Sequence, residues 1–100
     1  MKQYFFREND PVFGDLTAAK ASTTSLTASG GINFPHEWAE AGVAYKKSDA
    51  TDWSFKNCES LTVDTTVSSL TSKATYSVAL YVKSARGNVY MGDPSTVSLA

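Results

Sequence analysis

The chain is poor in the residues that most small active sites need. One cysteine, Cys58, and one histidine, His36, stand in 100 residues. A lone thiol makes no internal disulfide, and no CxxC pair or Cys/His cluster is present to hold zinc. Nucleophilic catalysis needs a base within reach of the nucleophile, and His36 sits beside Pro35 in a loop-like stretch. No GxSxG elbow occurs. Charge of one sign is equally scarce. Nine Lys and Arg against ten Asp and Glu leave a net charge of −1, which gives no footprint for nucleic acid or anionic lipid. Asp49, Asp52 and Glu59 lack the ligand spacing of a calcium loop. Glu37 with Glu40, and Asp49 with Asp52, are spaced as loop solubilisers rather than as an acid–base pair. No cofactor, metal or catalytic residue is expected.

Long apolar runs are missing too. The opening MKQYFFREND has two Phe but no stretch of signal-peptide length, and nothing approaches a membrane span. Helical periodicity is almost absent.

What is present is alternation. A content of 42% hydrophobic and 12% aromatic residues places the chain among ordinary globular domains and apart from disordered ones. Its length suits one domain. Residues 1–10 read as a leading segment or linker, and residues 11–100 as the domain. From Val12 onward, β-branched residues and Ser/Thr alternate with apolar ones. The reading gives an edge strand over residues 12–19, then strands over 23–28, 42–47, 53–58 and 60–70. A strand over 76–84 follows, and residues 89–91 and, past a break at Gly92–Asp93–Pro94, 96–99 complete it. Ser29, Gly30 and Gly31 read as a break, and residues 33–41 as a loop around Pro35. Cys58 is expected to pack as a small buried apolar residue. Trp53 and Phe55 are expected to pack inward.

The most telling stretch is LTSKATYSVALYVKSARG, residues 70–87. Leu70 precedes Tyr76 by six residues, and Tyr76, Val78, Leu80 and Val82 then share one face of a strand that closes on Gly87. A Tyr at the head of such a strand carries a hydroxyl that needs a partner. In a tyrosine corner it finds one in the backbone a few residues upstream, with Leu70 filling the space beneath the arch. The pattern predicts an all-β, seven-stranded, immunoglobulin-like β-sandwich.

Tyr76-x-Val78-x-Leu80-x-Val82-x-Ser84-x-x-Gly87 resembles strand F and the F–G turn of fibronectin type III domains. Gly42-Val43-Ala44-Tyr45 resembles their strand C, in the divergent form found in surface and secreted proteins of gut bacteria. The resemblance covers residues 12–100. It lacks the strand-B Trp, with Ala28, Ser29 and Gly30 near that place, and Ser72 stands where the corner usually has Pro. It implies a non-catalytic spacer or interaction module of a multidomain exported or cell-surface protein. The partners implied are a protein or neighbouring domains of the same chain, without nucleic acid or membrane insertion.

Two further readings attach to particular residues. Arg86, Gly87 and Asn88 occupy the turn where some members of that family carry Arg-Gly-Asp. Asn88 lacks the carboxylate such recognition uses, and a tight turn accounts for Gly87 by itself. The same alternation puts Ser77, Ala79, Tyr81 and Lys83 on the outer face, with Tyr90 across from Tyr81 on the next strand. A solvent-facing Tyr81 with Tyr90 and loop residue Trp38 would offer aromatics for stacking on a glycan or anchoring a protein. The plainer reading makes Tyr81 and Tyr90 a cross-strand pair and Trp38 a cover over the end of the core. An exposed edge strand would also allow homotypic pairing.

Overall fold

The computed structural model describes residues 11–100; the leading-segment reading for residues 1–10 lies outside them. The described chain is all-β, with no helix. Its strands are β1 (Val12–Phe13), β2 (Thr17–Ser22), β3 (Ser25–Asn33), β4 (Trp38–Lys47) and β5 (Ser54–Asn57). They continue as β6 (Thr62–Val67), β7 (Thr75–Ser84), β8 (Val89–Met91) and β9 (Ser95–Ser98). Every pairing is antiparallel. In one sheet β3 is central, flanked by β6 on one side and by β1 and β2 in succession on the other. The other runs β5-β4-β7, and β8 and β9 share the outer side of β7.

Nine strands replace the seven expected from the sequence. The difference has a local cause. The first edge lane is interrupted at residues 14–16, where Gly14 N–H turns to the Gly31 carbonyl at 2.8 Å. The last is interrupted at residues 92–94, where the sequence itself reads as a break: Gly92 N–H reaches the Leu80 carbonyl at 2.9 Å and Pro94 can donate to no ladder.

The two sheets face each other across one apolar cluster. Leu26, Ala28, Ile32, Val63 and Val67 meet Ala41, Val43, Val78, Leu80, Val82 and Val97. Burial of this kind stabilises by about 25 cal/mol per Å² of apolar surface removed from water. Strand β3 runs through Ser29, Gly30 and Gly31 rather than breaking there. A Cβ on Gly30 would come within 2.8 Å of the Leu80 Cδ1 atom and 3.0 Å of the Asp15 carbonyl oxygen. Gly30 is a close approach inside a strand, and Leu80 fills the space its missing side chain leaves.

The corner between the sheets forms as its sequence requires. Tyr76 is buried, and its hydroxyl accepts the Thr71 backbone N–H at 2.8 Å. Leu70 N–H and Lys73 N–H donate to the Thr24 and Thr23 carbonyls, each at 2.9 Å, tying the corner to the β2–β3 turn. The tight path places Ser69 and Lys73 at φ of 60° each. On the side where β5 and β6 come together, Lys56 Nζ donates to the Thr66 carbonyl at 2.9 Å.

The molecule thus has two poles. Val12 pairs with Asn33 at one, beside the turn where Ala85 N–H meets the Glu37 carbonyl. Leu99 N–H meets the Ala74 carbonyl at the other, next to the tyrosine corner.

Candidate functional site

Three places collect the residues that sequence pattern singles out: the outer face of the β5-β4-β7 sheet, the pole around the β7–β8 turn, and a groove between the edge lanes. On the outer face, alternation puts Tyr81 where it was expected, opposite Gly42 and Met91. Solvent exposure is the part that fails, since Tyr81 is only 2% exposed. Phe55 lies over it with ring centroids 4.8 Å apart and planes at 63°. The Tyr81 hydroxyl donates to Glu40 Oε1 at 3.2 Å, and Glu40 Oε2 stands 3.8 Å from Lys83 Nζ. Burial, chiefly, holds the phenol pKa well above its ordinary value. The Glu40 carboxylate charge, its hydrogen bond and Cys58 push the same way. The group stays a neutral donor across the physiological range.

Glycine makes this cover possible. A Cβ on Gly42 would meet the Lys56 carbonyl oxygen at 2.0 Å, so β5 crosses closely only because position 42 has no side chain. Phe55 pairs with Ala44 and shares its outward side, 47% exposed, rather than packing inward. Period-two alternation assigns a face but does not say what lies on that face. Cys58 is half-buried, its N–H bonded to the Ala41 carbonyl at 2.8 Å and its Sγ 3.8 Å from the Lys56 carbonyl. Among the described residues no three His, Cys, Asp or Glu side chains gather as a metal site.

At the pole, Tyr90 corrects a second expectation. Its register partner is Val82, whereas Met91 stands opposite Tyr81, so Tyr90 turns to the core side. There its ring lies 5.7 Å from Phe34, which in turn meets His36 edge-on at 5.4 Å. Trp38 pairs with Ser84 and packs half-buried against the core, covering its end. Trp38, Tyr81 and Tyr90 therefore form no single platform, and the Tyr81–Tyr90 cross-strand pair is absent. The β7–β8 turn behaves as its sequence requires, with Gly87 at φ +94°. Sequence reasoning missed Ser84, which is fully buried. Its Oγ accepts the Arg86 and Asn88 N–H groups at 3.3 and 3.2 Å. A Ser opening a Gly-containing turn is the signal that could have found it.

The groove, of about 900 Å³, opens between the two interrupted edge lanes. Leu80 forms its base. Phe13, Tyr90, Met91, Asp15 and Asp93 line its sides, and Val89, 49% exposed, stands at its margin. Apart from Leu80, which alternation places in the core, and Tyr90, none of these residues was singled out by alternation or spacing.

Compared with known protein families, the chain matches no family model, and a search of curated proteins finds no match.

Proposed function

We propose that this chain is a fibronectin type III-like sandwich that works as a non-catalytic spacer and interaction module within a multidomain exported bacterial protein. Counting each interrupted edge lane once gives seven lanes, three in one sheet and four in the other, which supports the family reading. The Tyr76–Thr71 bond supports it as well. The observation that carries the functional reading is the path of the chain. Its described part begins at the Asn33 pole and finishes at the Ala74 pole, with the length of β3 between them. At the usual strand rise β3 alone spans roughly 27 Å. Domains joined through opposite poles stand in line, and a spacer needs that geometry. Exposed loops and grooves then supply contact with partners.

The alternative, glycan stacking on Trp38, Tyr81 and Tyr90, loses its platform to the cover over Tyr81. Small-angle scattering from a head-to-tail fusion of two copies tests the spacer reading. An in-line module gives a maximum dimension close to twice that of one copy. A compact pair, no longer than one and a half copies, overturns the reading.

A further inference from the structure

The groove has a composition that selects its occupant. Residues 14–16 and 92–94, which flank it, take part in no strand pair among the described residues. Pro11 and Pro94 stand on its rim, and neither has the N–H an added edge strand would use. Extension of the ladder is therefore disfavoured, and recognition falls to side chains. Leu80 lies beneath the groove but is 1% exposed, so the apolar surface on offer comes from half-buried Phe13, Tyr90 and Met91 and from exposed Val89. Among the described residues, the charged ones lining the groove are Asp15 and Asp93, both acidic and exposed, with no Lys or Arg. Neither carboxylate has an ion-pair partner among the described residues. A negative rim repels phosphate and favours a cation, while the partly exposed aromatics and Val89 favour aliphatic or aromatic neighbours on the same ligand.

We propose that this groove binds an extended peptide segment of a partner protein in which a Lys or Arg stands among apolar side chains. The basic head meets Asp15 and Asp93, and the flanking apolar groups cover Phe13, Tyr90 and Val89. Aromatic-lined grooves that read extended peptides by side chain work on this chemistry. The inference deepens the reading of the domain as an interaction module and rests on it.

Panning the full chain against a phage-displayed random dodecapeptide library tests the inference. Enriched peptides should carry Lys or Arg beside Phe, Tyr, Leu or Val. A synthetic copy of the leading peptide should bind the Asp15→Asn/Asp93→Asn variant roughly tenfold more weakly and lose affinity as salt rises. Both substitutions are on exposed side chains, and a thermal melt matching the parent's shows that the fold is kept. No enrichment above bare support, or peptides that bind the double variant equally, overturns the proposal. The scattering measurement on the fused pair does not involve the groove. Failed panning with an extended fused pair removes the peptide site alone, whereas a compact pair removes the module reading beneath it.

Discussion

Tyr76 and Tyr81 stand five residues apart on the same strand, and they solve the same problem in opposite ways. Each buries a ring and must satisfy a hydroxyl. The Tyr76 hydroxyl accepts a backbone N–H from Thr71, five residues upstream. The Tyr81 hydroxyl donates to the side chain of Glu40, forty-one residues away. The first partner is local and made of main chain, so any residue at position 71 other than Pro supplies it. The second depends on the register of β4 against β7, on a bulge between Trp38 and Glu40, and on β5 folding over the top. One tyrosine anchors the fold. The other records how the fold was completed.

The strongest test of the contrast is at Gly42. Gly42→Ala drives a methyl into the Lys56 carbonyl and should separate β5 from β4, costing about 3 kcal/mol. Chemical denaturation reads the loss. Spectrophotometric titration should then show the Tyr81 phenol returning toward the ordinary tyrosine range, because its cover has lifted. Retention of the parent's titration curve would show that β5 is not the cover.

Tyr76→Phe comes next. It strands the partly buried Thr71 N–H and should cost about 1–2 kcal/mol. An unchanged denaturation midpoint would remove the corner from the list of stabilising features.

Tyr81→Phe should cost less, about 0.5 kcal/mol, because the Glu40 side chain is 38% exposed and water replaces the lost donor. Its pH signature is more distinctive. A raised folded-state pKa means that ionisation opposes folding: the contribution is complete below the unfolded phenol value of about 10 and falls away as pH rises above it. Thermal melts between pH 9 and about 11 should show the parent losing stability faster than Tyr81→Phe. Parallel slopes would place the alkaline sensitivity elsewhere.

The smallest effect should be a gain. Lys73 holds φ of 60° in the corner, and Lys73→Gly relieves that strain against the added freedom of the unfolded chain, netting about 0.5 kcal/mol. A lower midpoint for Lys73→Gly would mean that the side chain itself supports the turn.

The same contrast explains what could be read from the sequence. Tyr76 and Gly87 were legible because the hydroxyl bond of one and the positive φ of the other follow from spacing within one segment. The inward faces of β6 and β7 were legible because alternation has a period of two and one side must meet a core. Gly30 misled because a glycine that breaks a strand and a glycine that admits Leu80 look alike until the opposite sheet is in place. Tyr81 misled for a related reason. An outward residue counts as exposed only if nothing folds onto its face, and Phe55 does. Tyr90 misled by one position of register, which turns a side chain to the other face. The groove was invisible, since it is made where two edge lanes fail at the same height, and neither failure carries meaning without the other.

The Lys56–Thr66 contact has a consequence for crowding. A sheet edge with unpaired carbonyls is a template on which further chains can assemble. Thr66 presents its carbonyl with an ammonium already bonded to it, and the charge stands where an incoming strand would have to lie. At that point of the β6 edge, an incoming strand would have to displace a bonded charge before it could pair. The opposite flank resists an added strand differently, by breaks in its edge lanes and by prolines that have no N–H to offer.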